Sequence, residues 1–269
     1  MTARFDYADL QTLMARLRDP VDGCPWDIKQ TYASIVPHTL EEVYEVIDTI
    51  ERNDLPHLAE ELGDLLFQVV FYAQIAAEEG HFSLDDVVHG LVTKLVYRHP
   101  HVFPDGSLAS RAGASAITDG AVNDQWERLK GLKKPANARV LDDVPLALPG
   151  LLRAKKLQAK AARVGFDWPL IADVMSKADE ELAELKEAIA SGDADAIEDE
   201  LGDLLFVLAN VARHTGLDPE QAVRRTNQKF SRRFGHVEDR VRGSGQSWPD
   251  FELDSLDEFW REAKDLERK

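Results

Sequence analysis

Glu42, Glu45, Glu61 and Asp64 recur 139 residues later, in the same register, as Glu181, Glu184, Glu200 and Asp203. On a helix, side chains three and four apart share a face, so each set forms two pairs on two successive helical stretches. The short Ser191-Gly-Asp193 connection should fold the second stretch back on the first, and Arg52 to Pro56 should do the same in the earlier copy. Carboxylates crowded in this way repel one another, and a hard divalent cation relieves that repulsion. Mg²⁺, with Mn²⁺ as a substitute, is the expected ion; zinc would require Cys or His, and none stands at these positions. A merely solvated acidic face would offer Lys or Arg at helical spacing, which Glu41–Glu51 hardly does, and would give no reason to recur. Glu180, beside the ligands, is the candidate general base, with Glu184 able to share that task.

A basic set accompanies the second copy. Lys229, Arg232 and Arg233 stand at i, i+3 and i+4, a fork suited to polyphosphate oxygens. Lys177 lies one turn before Glu181, and Trp260 offers a flat face for a base. In the first copy His38 replaces Lys177 and Tyr97 replaces Arg232, while Lys94 and Arg98 remain. His99 and His101 would need a thiol partner for zinc, and Cys24 is the only cysteine.

These residues sit in a chain of 269 residues with a formal charge of −17 and 44% hydrophobic content. That charge argues against sequence-independent nucleic-acid binding, which needs a basic surface. One cysteine excludes an internal disulfide and suits a reducing compartment. The start of the chain has no apolar signal core, and the longest nearly apolar run, Leu65 to Ala77, is broken by Gln68 and Gln74. It falls short of the roughly 20 residues of a membrane helix. A cytoplasmic protein, with no membrane or nucleic-acid partner, is expected.

Helical periodicity dominates and no strand alternation is sustained, so the fold class is all-α. The pattern predicts helices near 6–18, 38–52, 56–79, 84–98 and 121–131, then 150–163, 171–190, 194–214, 219–242 and 255–267. The Gly-, Ser- and Pro-rich stretch Pro100–Gly120 reads as a loop. The duplication divides the chain into a domain over 1–132, a linker over 133–149 and a domain over 150–269. Gly63 and Gly202 each cost a helix about 1 kcal/mol against alanine, and close helix–helix contact is the expected reason.

Beyond the acids, Cys24-Pro-Trp-Asp27, Tyr97-Arg-His-Pro-His-Val-Phe103 and Val164-Gly-Phe-Asp-Trp168 resemble segments of the MazG family, within the all-α NTP pyrophosphohydrolase superfamily. The resemblance covers almost the whole chain. It implies two tandem helical-bundle domains completed by dimerisation, with helices of both subunits building each site. It also implies Mg²⁺-dependent hydrolysis of NTP or dNTP to the monophosphate and pyrophosphate, and a role in nucleotide-pool cleansing. Carried over by position, Glu181, Glu184, Glu200 and Asp203 become metal ligands, and Lys177, Lys229, Arg233 and Trp260 nucleotide contacts. The later domain would be the principal catalytic one. A narrow-substrate relative acting on dUTP or phosphoribosyl-ATP, and an inactive metal-binding dimerisation module, stand as alternatives. An HD-type phosphohydrolase would need His-Asp ligand pairs, which are not next to these acids.

Overall fold

The computed structural model describes residues 4–111 and 137–268, with Gly120, Val122 and Leu129 between them. It divides into two compact units, Met1–Lys134 and Pro135–Lys269. All regular elements among the described residues are helical.

In the first unit, α1 (Tyr7–Leu17) leads through a 3-10 turn at Asp27–Lys29 into α2 (Tyr32–Glu51), α3 (Leu55–Glu78) and α4 (Leu84–Arg98). Helix α2 begins six residues before its predicted start. Thr31 and Ser34 form a reciprocal capping box, and the helix carries Pro37 inside its second turn. The proline removes one N–H but does not stop a helix that is capped upstream and packed along its length on α3. Helix α2 ends where Asn53 takes a left-handed conformation (φ 56°), and Asp54 then caps α3. Met14, Ile35, Val70, Phe71 and Ile75 form the core. Arg18 staples the end of α1 in place: its guanidinium pairs with Glu78 at 2.7 Å and donates to the carbonyls of Asp27 and Gln30.

The second unit holds α5 (Gly150–Ala162), α6 (Ile171–Ser191), α7 (Ala194–His214), α8 (Pro219–Ser244), a 3-10 turn at Trp248–Asp250 and α9 (Leu253–Leu266). Here Gly192 (φ 75°) ends α6 in the left-handed region that glycine adopts without a Cβ penalty. Asp193 caps α7 by accepting from the amides of Asp195 and Ala196. The expected reversal between the two acid stretches therefore occurs in both units, built from different turn residues.

The expected linker is partly structured. Its residues from Asn137 onward belong to the second unit, where Val144 is buried and Lys160 donates to Asp143 at 2.7 Å. The predicted helix over 121–131, and with it Trp126 and Lys130, falls almost wholly outside the described residues. The expectation for the two mid-helix glycines is overturned within the chain. A Cβ built at Gly63 or Gly202 would meet nothing within 4 Å, and both lie on exposed helix faces.

Candidate active site

The α2–α3 hairpin carries the first acid set and the α6–α7 hairpin the second. Glu42, Glu45 and Glu61 each offer one oxygen to a cluster spanning no more than 4.8 Å, and Glu181, Glu184 and Glu200 do the same. Two of the clustered acids come from the first helix of each hairpin and one from the second, where the spacing predicted two from each. Asp64 and Asp203 lie outside these tight groups, one turn further along the same helix faces. Asp64 is near enough that its charge raises the pKa of Glu42 and of Glu61.

The electrostatics of the two clusters differ. In the first, Glu42 is held above the usual carboxylate range by desolvation, then by the charges of Asp64 and Glu45. Gln68 Nε2 approaches Glu42 at 3.5 Å, and His38 lies 3.9 Å from Glu41 rather than from the cluster. In the second, Lys177 Nζ reaches both Glu180 (2.8 Å) and Glu181 (2.7 Å), and hydrogen bonds to those two carboxylates raise its own pKa. Glu181 is buried and Glu180 exposed. Glu184 is raised by desolvation and by the hydrogen bond and charge of Glu181. Three oxygens of hard character around one point, each hairpin carrying more negative charge than its cations balance, suit an oxygen-ligated divalent cation.

The predicted fork lies on α8. Arg232 and Arg233 both pair with Glu267, the residue capping the C-terminus of α9, at 3.0 and 2.7 Å, and Lys229 is exposed one turn earlier. Arg233 lies over the Trp260 ring at 5.8 Å, and Phe230 packs on the same ring at 5.2 Å. Trp260 is thus already covered by a cation and a phenyl ring. His99 and His101 lie 5.5 Å apart in the first unit, outside any acid or thiol cluster found among the described residues.

Some polar groups elsewhere in the second unit were not singled out by spacing. Asp167 accepts from Arg213 and pairs with His214 at 3.3 Å, tying the segment after α5 to the end of α7. Burial pushes Asp167 up, but the hydrogen bond and charge of Arg213 outweigh it and hold the carboxyl low. Gln158 and Asn210 are buried amides on α5 and α7. Asn210 could have been noticed as the one polar side chain within the uncharged run Leu204–Ala212.

Comparison with known proteins places this geometry. The model of the MazG nucleotide pyrophosphohydrolase domain matches twice, over residues 30–103 and 172–238, covering both hairpins. The chain belongs to the MazG nucleotide pyrophosphohydrolase family. It is 45% identical over 261 residues to the nucleoside triphosphate pyrophosphohydrolase of Escherichia coli K12, covering 95% of each chain. It is 40% identical over 260 residues to the nucleoside triphosphate pyrophosphohydrolase/pyrophosphatase MazG of Thermotoga maritima, covering 96% of this chain and 95% of that one.

Proposed function

We propose that this chain hydrolyses nucleoside and deoxynucleoside triphosphates to the monophosphate and pyrophosphate, with Mg²⁺ as cofactor and Mn²⁺ as a substitute. The convergence of Glu181, Glu184 and Glu200 within 4.8 Å carries this reading. These three, with Asp203, would hold the ion between α6 and α7. A bound Mg²⁺ supplies charge neutralisation for the triphosphate and a ligated water of lowered pKa. Lys177 holds Glu180 and Glu181 in place and presents positive charge at the same mouth. Glu180, exposed beside the cluster, takes the proton of the attacking water. Glu184, the other acid within the cluster, is the alternative base.

Lys229, Arg232 and Arg233 bind phosphate oxygens, and the Glu267 carboxylate marks where an anion is accepted between the two guanidiniums. Trp260 serves the substrate by backing Arg233. Glu42, Glu45, Glu61 and Asp64 form a second metal site, but with His38 where Lys177 stands the later unit does most of the catalysis.

The protein acts as a homodimer in the cytoplasm, in nucleotide-pool cleansing. Support for a dimer comes from large apolar side chains exposed along the hairpins, Leu62 and Leu66 on α3 and Leu201, Leu205 and Leu208 on α7. Such rows are normally covered by a partner. No helix among the described residues is long and apolar enough to cross a membrane.

A pyrophosphate-release panel over NTPs and dNTPs with Mg²⁺ tests the reading. Glu181→Ala should lose nearly all activity and Glu42→Ala little. Full activity in Glu181→Ala would refute the assignment of the site. Glu180→Gln separates the two bases, since unchanged turnover removes Glu180 from the mechanism.

A further inference from the structure

Glu267 is gripped as an anionic ligand would be. Arg232 Nε and Nη2 lie 3.3 and 3.0 Å from its Oε1, and Arg233 Nε and Nη2 lie 2.8 and 2.7 Å from its Oε2. Each carboxylate oxygen is taken by one guanidinium, an arrangement that two neighbouring phosphoryl oxygens would equally accept. Hydrogen bonds from Arg233, and then from Arg232, outweigh desolvation and keep the carboxyl below its ordinary range, so it stays ionised.

The contact is also one that can open at little cost. Glu267 follows the last turn of α9, where its amide bonds to the carbonyls of Ala263 and Asp265. A carboxylate there meets the negative pole of the helix, so the position does not serve α9 itself. The body of α9 is fixed further back. Trp260 packs on Phe230 at 5.2 Å, and Glu262 pairs with His236 and Arg240, both at 3.2 Å. Helix ends fray most readily and exposed ion pairs hold weakly, so the last turn can leave while the rest of α9 stays.

The earlier copy changes both partners together. Tyr97 stands in the place of Arg232 and, counted from the matching Trp126 and Trp260, Lys133 stands in the place of Glu267. Where one prong of the fork is missing, the carboxylate that would fill it is missing too.

We propose that Glu267 is a built-in competitor for phosphate, filling the Arg232–Arg233 fork until a polyphosphate displaces it and returning to drive out the pyrophosphate product. The inference rests on the fork being the phosphate site. Displacing Glu267 lowers the affinity of every ligand that uses the fork by one common factor, the fraction of chains whose fork is open. A nucleoside triphosphate has further contacts to offset that loss. Inorganic phosphate and pyrophosphate have fewer, and are turned away.

The test uses the full chain, with inorganic pyrophosphate and Mg²⁺ in titration calorimetry and nucleoside triphosphates in steady-state assays. Glu267→Ala should bind pyrophosphate about three- to tenfold more tightly than wild type and lower KM by a similar factor, as expected for ion pairs partly open to solvent. Pyrophosphate should also become the stronger product inhibitor. In a chain already carrying Arg232→Ala and Arg233→Ala, Glu267→Ala should change neither constant, since the competitor then has nothing to occupy. Glu267→Gln keeps the shape of the side chain without its charge, and takes the place of the alanine variant if circular dichroism shows the latter unfolded. Unchanged or weaker pyrophosphate binding in the Glu267 variant would overturn the competitor, because a carboxylate that merely fastens α9 to α8 would not hold phosphate off. Tighter pyrophosphate binding in a chain that hydrolyses no nucleoside triphosphate would instead sink the proposed activity and leave the competitor standing.

Discussion

Lys177 Nζ lies 2.7 Å from Glu181 Oε1, and Glu181 alone of the six clustered carboxylates is buried. The pair decides how the second cluster survives without a metal. Lys177→Met removes the cation and leaves a buried charge uncompensated. Since Lys177 is itself part-exposed, the metal-free protein should lose about 2 kcal/mol, less than a fully buried pair would cost. Mg²⁺ should restore most of that loss. Chemical denaturation with and without Mg²⁺ measures both, and a variant as stable as wild type in chelator would show that the pair is energetically idle.

The clusters also predict how stability depends on pH. Glu184, Glu42 and Glu61 all titrate above their ordinary 4.5, each by desolvation first and then by neighbouring acids. A carboxyl whose pKa is raised on folding binds its proton more tightly in the folded state. Its contribution is therefore present below the unfolded pKa and lost as pH rises through the folded one. In chelator, these groups should lower the melting temperature between mildly acidic and neutral pH. Saturating Mg²⁺ should recover most of that loss near neutrality and little in acid. A metal-induced shift of equal size at about pH 5 and about pH 8 would mean that these carboxylates do not titrate with the metal site.

Arg18 joins α1 to the loop before α2 and to the end of α3, through Glu78 and two backbone carbonyls. Arg18→Ala should cost about 2–4 kcal/mol by stranding those acceptors and Glu78. Burial pushes Glu78 up, but hydrogen bonds from Arg18 and Gln74 and the charge of Arg18 bring it below its ordinary value. That stabilisation is present above the unfolded pKa and lost as pH falls through the folded one. The penalty of Arg18→Ala should therefore shrink in acid, and urea titrations of both proteins across pH check it.

Gly202 faces open space in the single chain. Alanine there should stabilise the isolated α7 helix by about 1 kcal/mol. If two copies pack along that face, the added methyl should weaken association instead. The expected result is a higher dimer dissociation constant in sedimentation equilibrium together with a higher melting temperature at low concentration. An unchanged dissociation constant would place the proposed dimer contact elsewhere.

Most of the scaffold was legible from spacing. The acid hairpins follow from a helical period and a turn signal, and the structure brings Glu42, Glu45 and Glu61, and Glu181, Glu184 and Glu200, together as those periods require. The start of α2 was misplaced because Pro37 reads as a strong local stop; the local Thr31–Ser34 capping box and the tertiary packing on α3 together override it. Glu267, which gathers Arg232 and Arg233, is 34 or more residues distant and belongs to no helical spacing. Asn210 and Phe71 hold matching places in the repeat, yet only packing reveals that one closes a core and the other opens onto a cleft.

That substitution has an energetic side. Phe71 and Met14 are both fully buried in one core cluster of the earlier half. The later half carries a cleft beside Asn210, a buried Gln158 oxygen with no partner among the described residues and an acid cluster, all of which draw down its own stability. The halves should therefore melt unequally, the later one first. Substrate and ion would then act partly as folding ligands for that half, narrowing the gap whenever nucleotides are plentiful.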